Sequence, residues 1–166
     1  MTIPVQISKE ILGKLENDCR ISSHNLALML NKEEGEIKEI IESLEMERVI
    51  LGYKAIIDWE KTDKEYVTAL IEVKVQPQRD GGFDKIAEKI YNYEEVQTVY
   101  LMSGGFDLAV ILEGRTMREV AYFVAEKIAV TDGVIATSTH FVLRKYKERG
   151  VVYSLDERAD MRNNMF

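Results

Sequence analysis

Hydrophobic residues recur at helical spacing over the first fifty positions and alternate in the β manner through much of the rest. Ile11, Leu12 and Leu15 form one apolar stripe behind Ser8, a candidate N-cap. Leu26, Ala27 and Leu30 form a second, shorter stripe that Ser23 can cap, and Asn31-Lys32 follows as a turn. Ile37, Ile40, Ile41 and Leu44 share one face of a third helix expected over about 33–47. Val49-Ile50-Leu51 and Tyr53 to Ile57 flank Gly52 and predict two short strands. Three short helices followed by a small hairpin describe a winged helix-turn-helix, expected over residues 1–58.

Residues 59–65 complete a polar stretch that reads as a linker, with Trp59 as an anchor packing it onto a neighbour. Beyond it, residues 66–75 alternate as a strand, and Phe83, Ile86, Ala87 and Ile90 mark a helix opened by Gly81-Gly82. Strands are expected over 96–102 and 106–112, around the Ser103-Gly104-Gly105 turn. A helix capped by Thr116 runs to Ile128, and a long strand spans 134–146. The order β-α-β-β-α-β is that of a ferredoxin-like domain, expected over 66–148. The fold class is therefore α+β: a winged helix-turn-helix followed by an antiparallel ferredoxin-like sheet. Both helices on one face leave the other to be covered, which favours dimerisation through the sheet. The tail, 149–166, could be a docking helix or frayed.

The chain has 166 residues, 46% of them hydrophobic, which allows one domain or two small ones. No run approaches the ~18 apolar residues of a membrane span. MTIPVQISKE lacks a basic segment leading into a long apolar run, so a secretory leader is not expected. With Cys19 the single cysteine, a reducing cytoplasm is the expected location, and no Cys/His cluster has metal-ligand spacing. Net charge is −7, which offers no overall attraction to nucleic acid or an anionic membrane.

Four segments resemble the Lrp/AsnC family of regulators, the feast/famine proteins. LENDCRISSHNLALMLN (15–31), the stretch from Leu44 through LGYKAIID to Asp58, VQTVYLMSGGFDL (96–108) and GVIATSTHFVLRKYK (133–147) are similar to its motifs, in its order. The resemblance implies an amino-acid-responsive transcriptional regulator acting as dimers or rings of dimers. The third helix would then enter the major groove of double-stranded DNA, with Lys54 of the wing on phosphates. The chain departs from the family in having Glu33, Glu36 and Ile40 where Ser, Thr and Arg are usual. From Lys32 to Glu47 two lysines, Lys32 and Lys38, face seven glutamates, and carboxylates near phosphates repel. Glu36 and Glu39, beside Lys38, are the ones expected to point toward DNA. The second reading is an effector-binding oligomer whose acidic helix-turn-helix serves as scaffold or protein-docking surface.

Ser103-Gly104-Gly105-Phe106-Asp107 admits two readings from its own residues. It is a tight hairpin whose aspartate bonds local amides, or a cradle whose backbone N–H groups and carboxylate suit a zwitterion. The resemblance implies the second. It places Ser103, Gly104, Gly105 and Asp107 in an amino-acid effector pocket, with Thr137 and Thr139 reaching in from a neighbouring subunit and Tyr100 as a wall. No cofactor is implied. His24 and His140 lie far apart in sequence, and Cys19 has no accompanying base. Some family relatives are tetrapyrrole decarboxylases that use histidine in the second domain, but TVYLMSGGFD contains none. An enzyme is not expected.

Overall fold

The structure, a computed structural model, describes residues 5–76 and 82–153. It divides into two units, 1–56 and 57–166. The first contains α1 (Val5–Asn17), α2 (Ser23–Leu30) and α3 (Glu34–Met46). Their apolar faces meet in a core of Ile11, Leu15, Leu26, Ala27, Ile37, Ile40 and Leu44. Ser8 is not a cap, because the helix is already formed at Val5, the first described residue. Starting there sets Ile7 on the core, one turn ahead of Ile11, so burial wins over a capping hydroxyl. The cap of α2 is Ser22, one residue before the expected Ser23, and its Oγ accepts from the Asn25 N–H at 3.1 Å.

The wing hairpin is absent among the described residues. Val49 and Ile50 instead complete the end of α3, both N–H groups donating to the Leu44 carbonyl at 2.9 and 3.1 Å. Arg48 makes this possible by turning left-handed at φ 57°. Leu51 to Asp58 joins no ladder, and Leu51 is left 80% exposed.

The second unit carries β1 (Val67–Val75), α4 (Asp84–Tyr91), β2 (Val96–Leu101), β3 (Leu108–Gly114), α5 (Met117–Phe123) and β4 (Val134–Phe141). The sheet order is β2-β3-β1-β4, antiparallel throughout, as a ferredoxin-like fold requires. Thr116 caps α5 as expected, its Oγ1 accepting from the Glu119 N–H. The helix continues to Ile128 as a π turn. Ala69, Ile71, Val73 and Val75 of β1 pack with Leu108, Val110 and Leu112 under Ile86, Ile90, Val120, Val124 and Ile128.

The opposite face carries Leu70 opposite Ile111 and His140, Glu72 opposite Ala109 and Ser138, and Tyr100 opposite Ala109. Among the described residues no helix of this unit covers that face. β4 ends at Phe141, five residues before the expected Tyr146. The chain then forms a two-residue ladder, β5 (Lys147–Glu148) with β6 (Val151–Val152), closed by Arg149 and Gly150 at positive φ. Only residues 149–153 of the tail fall within the described residues.

Candidate functional site

The helix-turn-helix is built by a three-residue turn. Asn31 adopts φ 52° at the end of α2, the Lys32 N–H reaches back to the Ala27 carbonyl at 2.9 Å, and α3 starts at Glu34. Helix α3 buries Ile37, Ile40 and Leu44 and turns Lys38, Glu39, Glu42 and Met46 to solvent.

Its lysines do not stand alone. Lys32 Nζ lies 2.9 Å from Glu36 Oε1, and Lys38 Nζ lies 2.6 Å from Glu34 Oε1. His24 Nδ1 approaches the second oxygen of Glu34 at 3.2 Å. The hydrogen bonds from Lys38 and then His24 hold the Glu34 carboxyl below its ordinary value. Lys32 of the turn thus gathers with Glu36 and Lys38 of the first half of α3, and Glu39 is exposed beside them. Lys54 is exposed too, but on the extended segment after α3 rather than on a wing. Sequence reasoning passed over two further exposed cations. Arg20 stands in the turn before α2, and Arg48 stands directly behind the last turn of α3. Position was the available signal, since both flank the helix-turn-helix.

In the second unit the hairpin between β2 and β3 is tightly tied. The Met102 N–H donates to the Asp107 carbonyl at 2.8 Å, and the Asp107 N–H to the Val73 carbonyl at 3.0 Å. The Asp107 carboxylate accepts the Val75 N–H through Oδ2 at 2.8 Å, stitching the hairpin to the end of β1 beside a bulge. Asp107 therefore does the structural task that a hairpin aspartate can do. The loop nevertheless stays open. Gly104 sits at φ +145°, and neither it nor Gly105 has an atom within 4 Å of where a Cβ would stand. Tyr100 is 58% exposed on the uncovered sheet face.

Thr137 and Thr139 are not brought to this loop within one chain. They register with Val73 and Ile71, so they lie on the helix-covered face of β4, two strands from β3. Two strand spacings are roughly 10 Å. Tyr100 and the two threonines could line one site only across an interface. Among the described residues no group of His, Cys, Asp and Glu could hold a metal ion, and no helix is long and apolar enough to cross a membrane.

The model of the Lrp/AsnC ligand-binding domain matches residues 68–152. An uncharacterized HTH-type transcriptional regulator of Bacillus subtilis, YugG, is 48% identical over 145 residues, covering 87% of each chain. The chain belongs to the Lrp/AsnC family of transcriptional regulators. Solved structures of the family share its fold. Escherichia coli AsnC superposes with a TM-score of 0.68 at 17% identity, covering 90% of this chain and 98% of that one. A Neisseria meningitidis transcriptional regulator, solved as a complex with L-methionine, gives 0.70 at 20% identity, covering 95% and 99%. The residues matched by the Lrp/AsnC ligand-binding model span the sheet, the glycine hairpin and the small β5-β6 ladder alike.

Proposed function

We propose that this Lrp/AsnC protein binds double-stranded DNA through α2 and α3, and that a small amino acid bound in the second unit shifts its assembly. In this reading residues 1–58 dock on DNA, 59–65 link, and 66–148 bind the effector and join subunits. The observation that carries it is the helix-turn-helix geometry, with Ile37, Ile40 and Leu44 of α3 buried and Lys38, Glu39, Glu42 and Met46 exposed. The ion pairs engage Lys32 with Glu36 and Lys38 with Glu34, so α3 keeps its net negative charge and its lysines are already occupied. Phosphate contacts then fall to the flanks, on Arg20, Arg48 and Lys54. Base contacts fall to α3, where Glu39 can accept a hydrogen bond from cytosine N4.

The effector reading rests on the open glycine loop and on the family's ligand-binding domain. Among the described residues Asp107 spends one carboxylate oxygen on Val75, which leaves the other for an α-ammonium group. Ser103, Gly104 and Gly105 would present amides to the carboxylate, and Thr137 and Thr139 of a neighbouring subunit would close the site. Effector bound between subunits favours one assembly, and the assembly sets the spacing of the recognition helices.

Fluorescence anisotropy with a labelled fragment from upstream of the protein's own gene, at two salt concentrations and with a pool of amino acids, tests this. Sequence-selective binding is expected, with a salt slope that Lys54→Ala or Arg48→Ala lowers by about one unit each. The second reading, a docking surface, predicts no binding by the natural protein and new affinity when Glu36 and Glu39 are both changed to lysine.

A further inference from the structure

The β5–β6 ladder is a two-stranded ribbon that pairs with no strand of the main sheet. Its sequence, RKYKERGVV over 144–152, puts four cations into six residues of a chain whose net charge is −7. The single carboxylate among them is already engaged. Glu148 accepts from Lys145 Nζ at 3.3 Å through both oxygens and from the Tyr153 hydroxyl at 2.7 Å. Lys145 and Tyr153 also line a cleft with Trp59 and the buried Thr68, whose hydroxyl has no partner among the described residues.

The other three cations are presented outward. Arg144, Lys147 and Arg149 are exposed, and among the described residues none has a carboxylate at ion-pair distance. Arg144 lies over the Tyr146 ring at 5.3 Å, and that ring is itself 65% exposed. A guanidinium resting on a ring face keeps its N–H donors free for an anion.

The tip of the ribbon adds to this. Arg149 and Gly150 make the two-residue turn at φ 47° and 86°, a geometry that favours Asn, Asp or Gly. Arginine at the first place runs against that local preference and sets five N–H donors at the end of the ribbon.

Unpaired cations on a narrow ribbon suit the phosphate backbone of a duplex, whose major groove admits two paired strands. Helix α3 increases the need. Its acidic surface leaves phosphate neutralisation to other elements, because Glu34 and Glu36 already hold Lys38 and Lys32. We propose that the β5–β6 ribbon is a second DNA contact, with Arg144, Lys147 and Arg149 on phosphates of the bound duplex. The inference rests on the reading of the protein as a DNA-binding regulator, and it adds a DNA contact to the unit matched as a ligand-binding domain.

Anisotropy of the full chain with the labelled upstream fragment, across a series of salt concentrations, tests it. The ribbon variant combines Arg144→Gln, Lys147→Gln and Arg149→Asn, the last a residue that the turn favours. The control removes as many charges from the helical layer, through Lys85→Gln, Arg118→Gln and Lys127→Gln, all exposed. The ribbon variant should bind about tenfold more weakly, with a salt slope lower by about two to three units, and the control should match the natural protein. Separately, the photo-crosslinking residue p-benzoylphenylalanine should join to the DNA from position 149 and not from position 85. Weakening by Arg48→Ala and Lys54→Ala but not by the ribbon variant would overturn the inference and leave the first unit as the DNA element. Equal weakening in the ribbon variant and the control would overturn it too, since overall charge then explains the loss. No binding by the natural protein would overturn both this inference and the reading beneath it. A changed assembled mass of the ribbon variant on light scattering, with no cross-link from position 149, would overturn it by making the ribbon a subunit contact. Loss of binding to anionic lipid vesicles with DNA binding intact would overturn it by making the ribbon a membrane contact.

Discussion

The phenols of Tyr66 and Tyr153 both donate to carboxylates, to Glu113 and to Glu148 respectively, the latter at 2.7 Å. Burial leads for Tyr66 and the hydrogen bond leads for Tyr153, and both pKa values rise from about 10 to about 12. A pKa raised by folding stabilises the folded state fully below the unfolded value, and that stabilisation disappears as pH climbs through the folded one. Denaturation midpoints should therefore fall between pH 10 and 12, and the fall should be shallower in Tyr66→Phe. On the acid side the sign reverses. The bond from Tyr153, followed by Lys145, holds the Glu148 carboxyl below its usual range against the opposing effect of burial. That stabilisation is present above about pH 4.5, disappears as pH falls through the lowered value, and should shrink in Tyr153→Phe. None of these partnerships was legible in the chain. Residues 66 and 113 are brought together only when β1 pairs with β3, where Thr68 stands opposite Glu113.

Elements were legible wherever burial and periodicity agreed. Helix α3 and strands β1 and β2 lie within a residue or two of expectation because each buries one face. The wing and the end of β4 were not, because alternating hydrophobicity does not say whether a partner strand exists. Two apolar runs flank Gly52 between Val49 and Ile57, but the described residues supply no neighbour for a strand there. Glycines show the same dependence on surroundings. Gly133 takes φ +92° before β4, and a Cβ there would stand 2.6 Å from Ile86 Cδ1 of α4. Gly13 lies inside α1 with nothing within 4 Å of the corresponding point. Gly133→Ala should thus lose about 2–4 kcal/mol in urea titration. By the same measurement Gly13→Ala should gain about 0.5–1 kcal/mol, through helix propensity alone.

At the scale of the whole molecule, the uncovered sheet face is the feature with most consequence. Leu70 and Ile111 lie side by side at its centre, half-buried, flanked by Glu72, Ser138 and His140. His140 Nε2 sits 3.4 Å from Glu72 Oε1 and 3.3 Å from Ser138 Oγ, so the polar margin of the face is already ordered. An apolar centre with a polar rim is the anatomy of a protein interface. If subunits join through this face, Leu70→Arg with Ile111→Arg should reduce the assembly to a monomer on light scattering while leaving circular dichroism unchanged. Retention of the full mass would place the interface elsewhere. The same experiment bears on the hairpin site, since Tyr100 and Thr137 lie on opposite faces of one sheet and can share a ligand only between chains.

The sequence by itself determined the α+β class, the three N-terminal helices, the β-α-β-β-α-β order that follows and the glycine hairpin. These follow from local periodicity, turn chemistry and short-range hydrogen bonds, which a linear chain encodes directly. It also marked the acidic character of α3, but not that Glu34 and Glu36 hold Lys38 and Lys32. Only the tertiary structure decided that Asp107 spends an oxygen on Val75, that Thr137 and Thr139 face away from the hairpin, and that Thr68 is buried without a partner beside Arg144 and Trp59. Each is set by which strands lie side by side and in what register. A one-residue slip would turn Thr68, Thr137 and Thr139 to the other face.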